Sequence, residues 1–414
     1  MSIKDNFPSV GPSLSLNFAR SKTLDPRITF SRSSSSGDAT YTDANGLIVT
    51  AAADEPRFDH KYDNGVVKSL GLLVEEQRTN LVINNEDLSQ WNSNAGGTTT
   101  SNDTVSPDGN TTADKVIQTN QVYDGVYEQM SGITTNTVYS CSVFIKPDGD
   151  TTTRFGFYDT SNWQGALDTD WSSGEPSTNT SLGGASDIVY EEYPNGWYRA
   201  SFKASTQSNA FAGTVSFHCH PDRTGTGKSA WFWGAQLEEG EFLTSYIPTS
   251  AGISTRGADN VSMTGTNFSD WYNQDEGTVY VSQKLKAVQD TSRNNLVYKI
   301  NDGANNDLSY NTKSGGKNIF VFGDGGTNYS RFQSVTDSTD TKTAWAYDVS
   351  GDDFKAYYNG IEVTNETITN TPSATSHTKL ELGASSGDKY CGHIQQFAYY
   401  PKRLTNTQLQ NLTK

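Results

Sequence analysis

The segment YSCSVFIKPDGD, residues 139–150, follows the rule by which most of this chain is written. Tyr139, Cys141, Val143 and Ile145 share one parity, and Pro147-Asp148-Gly149 then supplies a turn. A period of two over so few residues fits a half-buried strand and excludes an amphipathic helix, whose apolar positions recur every three or four residues. RFGFYD, DIVYEEY, WYRASFKA, TVSFHCH and SAWFWGAQLE repeat the pattern before residue 250, and GTVYVSQKL, NLVYKIND, NIFVFGDGG, TAWAYDV, FKAYYNGIEV and HIQQFAYY repeat it afterwards. Short strands at this spacing, broken by Gly-, Asn- and Pro-containing turns, predict β-sandwiches. Only 33% of residues are hydrophobic but 11% are aromatic, so rings must supply much of the buried area.

Three regions follow. Residues 1–80 contain SLSLNFARS, RITFSR, a hairpin signal at Asn45-Gly46 within YTDANGLIV, and SLGLLVEE. These are strands without enough apolar residues for a core of their own, so the segment is expected to pack on a neighbour or on another chain. Residues 81–250 form one β-sandwich, TSYIPTSAGISTRGADN reads as a connection, and 256–414 form a second sandwich with another hairpin at Asn359-Gly360. RLTNTQLQNLT closes the chain with leucines near helical spacing after a threonine able to cap, which predicts a short helix sealing one end of the last sandwich. The expected class is all-β: an N-terminal strand-rich attachment segment, two β-sandwich (jelly-roll) domains and a short C-terminal helix.

The charge balance, 31 − 47 = −16, repels phosphate backbones and anionic membranes, which argues against nucleic acid as a partner. No apolar run reaches spanning length and the N-terminus MSIKDNFPSV has no leader-like pattern, so synthesis in the cytoplasm without membrane insertion is expected. Cys141, Cys219 and Cys391 are odd in number and scattered, and read as buried thiols. In WFWG, residues 231–234, a strand would turn Trp231 and Trp233 one way and Phe232 and Gly234 the other. A strand apolar on both faces lies between two layers, so this stretch is expected in a core or at an inter-domain seam, worth on the order of 5 kcal/mol by burial.

Residues 13–81, SLSLNFARSKTLDPRITFSR…YTDANGLIV…EPRFDH…SLGLLVEEQRTNL, resemble a segment common at the front of bacteriophage fibre and spike proteins. Residues 82–250, with NGWYRASF and WFWGAQLEEGEFLTSYIPT, resemble β-sandwiches of the carbohydrate-binding-module type. Residues 277–413, with TAWAYDVSGDDFKAYYNGIEV and GHIQQFAYYPKRLTNTQLQNLT, are similar to laminin-G or concanavalin-type jelly rolls. The resemblance implies a tail- or head-fibre subunit at the virion surface, contacts to other virion proteins through residues 1–80, and sandwiches presented to host cell-surface polysaccharide. It also implies a homotrimer, since three-fold packing buries sheet edges. A ligand-free decoration protein and a depolymerising tailspike are the alternatives.

Catalytic chemistry finds little support in the residues. None of the five histidines sits near a G-x-S-x-G elbow. Glu191-Glu192 and Glu238-Glu239 are adjacent, so on strands their carboxylates diverge instead of facing each other across a cleft. His218 and His220 share a strand face, but two imidazoles do not close a zinc site and read more simply as stacked rings. Calcium is possible through loop residues Asp352, Asp353 and Asp388, which fall where laminin-G domains carry it, although solvated loop acids are the plainer reading. Trp163 in SNWQG and Trp171 in DTDWSSGEP lie among polar turn residues and are the candidate glycan platforms. Their plainer alternative is a ring folded over its own loop or buried. Trp197 and Trp345 read as structural.

Overall fold

A computed structural model describes residues 8–33, 38–119, 121, 123–149, 151–207, 214–286, 294–303, 307–313, 317–324, 327–333, 340–363, 365–368, 377–383 and 390–414. The chain is all-β, built into two sandwiches. The middle sandwich stacks two six-stranded antiparallel sheets. The first runs Ser186–Tyr193, Trp197–Ser205, Val138–Pro147, Ser229–Glu239, Ala113–Ile117, Thr98–Thr104. The second runs Ser177–Leu182, Trp163–Asp170, Thr152–Tyr158, Val215–His220, Gly125–Met130, Asn92–Asn94. Cys141, Val143 and Ile145 meet Phe155, Phe157 and Phe217 between the layers, as the alternation requires. All three cysteines are buried and free, and burial raises their thiol pKa values.

The last sandwich draws on both ends of the chain. One eight-stranded sheet runs Ile361–Val363, Asp353–Tyr358, Asp340–Asp348, Glu276–Leu285, Gly392–Tyr400, Val66–Val74, Arg57–Asp63, with Leu14–Asn17 also on Gly392–Tyr400. Leu14 pairs with Tyr399 and Leu16 with Phe397, while Leu72 lies opposite Ile394. The facing sheet begins with Thr29–Arg32 on Asp259–Thr264. Leu14, Leu16, Phe58, Leu72 and Val74 therefore share a core with Val279, Trp345 and Phe397. The front region does pack on a neighbour, but by adding strands to both sheets of the last sandwich, not as a segment ahead of it. Its apolar residues alternate, and only a second set of strands can cover them.

Charge marks the join. Arg57 is wholly buried and bonds Glu75 at 2.8 Å and Asp259 at 2.5 Å. Asp259 also takes Arg32, and Glu75 takes Arg256, Lys286 and the Ser245 amide and hydroxyl. Burial pushes the Glu75 pKa up, but Arg256, Lys286 and Arg57 more than offset this and hold the carboxyl well below its usual range.

WFWG lies at a seam, as expected, with one refinement. Phe232 enters the middle core, and Trp233 is buried on the opposite side with Phe144, Trp197 and Tyr246. The Ala39–Thr42/Ile48–Ala51 hairpin covers it through Ile48, and Thr40 Oγ1 donates to the Tyr246 carbonyl at 2.6 Å. Trp231 stays half-exposed beneath Lys115, its Nε1 donating to Asp103. A bulge re-phases the strand at Gly234, whose φ of +61° favours glycine, so Ala235 and Leu237 return to the core. In the other predicted hairpin, Asn359 and Gly360 both take positive φ, +45° and +80°, as a two-residue turn requires.

The C-terminal helix Asn406–Thr413 carries the predicted Thr405 cap, completed by Gln408 as a capping box. It lies on the outer face of the eight-stranded sheet, where Leu404 and Leu409 cover Ala344, Ala346 and Tyr357, and does not plug an end of the sandwich. The alanines and Tyr357 give that face an apolar patch for the helix to cover.

Candidate functional site

In the second sheet of the middle sandwich, Phe155, Phe157, Phe217, Cys219 and Val126 point into the core. Alternation therefore turns Arg154, Gly156, Tyr158, His218, His220 and Tyr127 outward. Register aligns Tyr127, His218, Gly156 and Ala166 in one row and His220, Arg154 and Asp168 in the next. The small residues Gly156 and Ala166 leave the first row low beside His218.

Trp163 lies over this row. Its ring centroid is 5.2 Å from Tyr158, 5.5 Å from His218 and 6.0 Å from His220, and Arg154 Cζ is 5.3 Å away. These contacts come from the sheet side, so the half-exposed indole presents its other side to solvent. Asp159 anchors the approach to the strand: its Oδ1 accepts the Ser161 and Asn162 amides at 2.7 and 2.6 Å, and its Oδ2 accepts Gln164 Nε2 at 2.9 Å.

Trp171 corrects the sequence reading. It is 2% exposed, packs on Tyr198 and donates from Nε1 to Thr153 Oγ1 at 2.9 Å, so it offers no free face. The reason is register. Gly165, Leu167, Thr169 and Trp171 share one parity and face inward, but Gln164 is an extra residue opposite the Phe157/Tyr158 step. That bulge flips Trp163 to the outer face while Trp171 keeps the core-facing parity.

The electrostatics are quiet. Arg154 forks onto Asp168, with Nη2 to Oδ2 at 2.6 Å and Nε to Oδ1. Burial lowers the His218 pKa to about 4, and burial, helped by His218, Arg223 and Arg154, drives His220 well below the usual histidine range. Both are neutral near pH 7. Their rings stack at 5.5 Å and 13°, continued by Tyr127 at 5.2 Å from His218. Tyr123, largely exposed, lies beneath Arg223 at 4.1 Å. Such a face can stack on a C–H surface and exchange hydrogen bonds. His218 Nε2 does sit 2.8 Å from Ser216 Oγ, but a base of pKa about 4 is weak at neutral pH, and Nδ1 has no carboxylate behind it.

The remaining candidates separate. Glu238 is buried against Thr244 while its neighbour Glu239 is exposed, so that pair diverges as expected. Asp353 is taken by Arg403, Oδ2 to Nε at 2.9 Å and Oδ1 to Nη2 at 3.0 Å, and Asp352 is an exposed turn residue at φ +49°. A carboxylate committed to a guanidinium fork does not fit a calcium cradle, and Asp388 lies outside the described residues. Among the described residues no group of three or more His, Cys, Asp or Glu is placed to hold a metal ion.

Fold and face together define an all-β sandwich protein with an aromatic, hydrogen-bonding outer surface. The sequence matches no protein-family model and no curated protein. Among solved structures, the chain is similar to the CBM40 module of the Ruminococcus gnavus IT-sialidase bound to α2,3-sialyllactose, at 17% identity over 34% of this chain and 83% of that one, TM-score 0.28. It is also similar to the NanB sialidase of Streptococcus pneumoniae, at 18% identity over 36% of this chain and only 26% of that one, TM-score 0.30. Mouse laminin α1 domains LG4-5 align over 76% of this chain and 92% of theirs at 8% identity, TM-score 0.24. These are partial likenesses between β-sandwich proteins.

Proposed function

We propose that this protein is a non-enzymatic, glycan-binding fibre subunit of a bacteriophage particle. The observation that carries glycan binding is the Trp163 face: a half-exposed indole on a preformed base of Tyr158, His218 and Arg154, flanked by hydroxyl, imidazole and carboxylate groups. Sugars are held by rings against their C–H faces and by polar groups on their hydroxyls, and these residue types supply both. The virion role is supported by the resemblance of residues 13–81 to the front of phage fibre and spike proteins. Location at the virion surface, a homotrimer and contacts to other virion proteins through residues 1–80 belong to the same reading. The adjacent acids Glu191-Glu192 and Glu238-Glu239, which diverge on strands, lend no support to depolymerisation.

The test is binding of the full chain to an array of host surface polysaccharides. Trp163→Ala is expected to lower affinity at least tenfold while leaving the far-UV spectrum unchanged. Equal binding by wild type and variant, or no glycan bound by either, refutes the face as the site. Release of reducing ends from a bound polysaccharide refutes the non-enzymatic reading.

A further inference from the structure

A second site lies at the junction of the three chain regions. A cavity of about 290 Å³ opens between the front hairpin, the first sheet of the middle sandwich and the last sandwich. Its volume is at the lower end for small-molecule sites, room for one sugar ring and not for a chain. Tyr41 and Tyr62, both half-buried, line it beside Glu191, His60 and Lys284.

Its polar groups are incompletely used. Arg199 lines the cavity at 3% exposure; Nη1 donates to the Thr244 carbonyl at 3.1 Å and Nε to Ser142 Oγ at 3.3 Å, but Nη2 has no partner. Among the described residues Arg199 makes no ion pair. The guanidinium lies over the Phe144 ring at 5.3 Å with Glu191 as its cross-strand neighbour, but no carboxylate bonds it directly, and a buried guanidinium gains from one that does. His393, also buried and lining, gives Nε2 to Asp59 at 2.7 Å. A carboxylate can only accept, so Nε2 carries a proton, and the buried Nδ1 has no hydrogen-bond partner. His60 donates Nδ1 to the Thr42 carbonyl at 3.0 Å, which leaves Nε2 for a second bond. Of the lining acids, Asp187 and Glu241 share Lys203 and Glu192 accepts the Asn64 amide, while Glu191 stands directly across the strand pair from Arg199 without an ion pair among the described residues. Lys61 and Lys284 have no ion-pair partner among the described residues, so the uncommitted charge on the wall leans positive.

We propose that this cavity binds a carboxylate-bearing pyranose. Arg199 takes the carboxylate, the ring nitrogens of His60 and His393 bond hydroxyls, and the Tyr41 and Tyr62 rings lie against the sugar's C–H face. The site is independent of the Trp163 face and, because its walls come from three regions, occupancy raises the stability of their junction.

Titrating the full chain with D-galacturonate and with neutral D-galactose, by ligand-observed NMR and thermal unfolding, tests this. Galacturonate is expected to saturate at least tenfold more tightly than galactose and to raise Tm, and Arg199→Gln to abolish that preference. Because Arg199 also holds the Thr244 carbonyl, Tyr62→Ala serves as a second variant that leaves the buried bonds in place; it is expected to weaken galacturonate at least fivefold. Trp163→Ala should leave this binding unchanged, which separates the two sites. No saturation by galacturonate, equal affinity for galactose, or loss of binding in Trp163→Ala overturns the proposal.

Discussion

The two sandwiches look alike in cross-section and differ in how they are closed. Every strand of the middle one comes from residues 92–239, so it is finished by its own continuous stretch of chain. The last one is assembled from residues 259–400 together with Leu14–Asn17, Thr29–Arg32, Arg57–Asp63 and Val66–Val74. In space the middle sandwich is an insertion into a domain whose halves lie at opposite ends of the sequence. Closing so long a loop costs entropy that grows only slowly with length, and the buried strands recover it. The difference predicts independent folding of one sandwich and dependence in the other. A fragment of residues 82–250 should show dispersed amide NMR signals, whereas a fragment of 256–414, stripped of four strands, should remain unfolded until residues 8–80 are added in trans. A folded 256–414 fragment would break the comparison.

The join itself gives a smaller effect. Arg57 neutralises two carboxylates with no solvent to replace it, and Arg57→Met leaves Glu75 with Arg256 and Lys286 but removes half the support of Asp259. Removing one partner of a buried pair costs about 3–5 kcal/mol. Urea unfolding of the full chain should show that loss in the transition of the last sandwich and leave the middle transition in place.

The strand content was legible because alternation is local: Tyr139 to Ile145, or Trp345 beside Tyr347, announce their faces within seven residues. The hairpins at Asn45-Gly46 and Asn359-Gly360 and the Thr405 cap were legible for the same reason. What a local pattern cannot carry is partnership. LLVEEQRTN and STRGADN place charges beside apolar strands, and that was the available signal of a buried network, but only the fold shows that Glu75 and Asp259 share Arg57. The site was half legible. Trp163 and Trp171 sit in similar polar surroundings, and a single extra residue, Gln164, decides which one reaches the surface. No composition rule registers a bulge. The polar strands Thr98–Thr104 and Ser177–Leu182 escaped for a related reason, since edge positions need no apolar residues.

pH sharpens the contrast most finely, because the two regions titrate in different windows. His218 in the folded chain titrates at about 4 against about 6.5 unfolded, so the unfolded chain binds the proton first as pH falls. The stability that goes with a neutral His218 is complete above about pH 6.5 and is lost as pH drops toward 4, an effect of up to about 3 kcal/mol. Glu75 is depressed instead: its contribution holds down to the unfolded value, about 4.3, and disappears only below it. Other middle-sandwich acids oppose the histidine, Asp114 above all, since burial raises it to about 6 and protonation on acidification favours the fold. Differences between variants cancel that background. The stability gap between wild type and His218→Phe should therefore narrow between pH 6.5 and 4, whereas the gap between wild type and Glu75→Gln should stay level to about pH 4.3 and narrow beneath it. Urea midpoints at half-unit pH steps measure both. A His218 gap that stays flat from pH 7 to 4 would mean that the ring beneath Trp163 is solvated, and the preformed base of the proposed binding face would go with it.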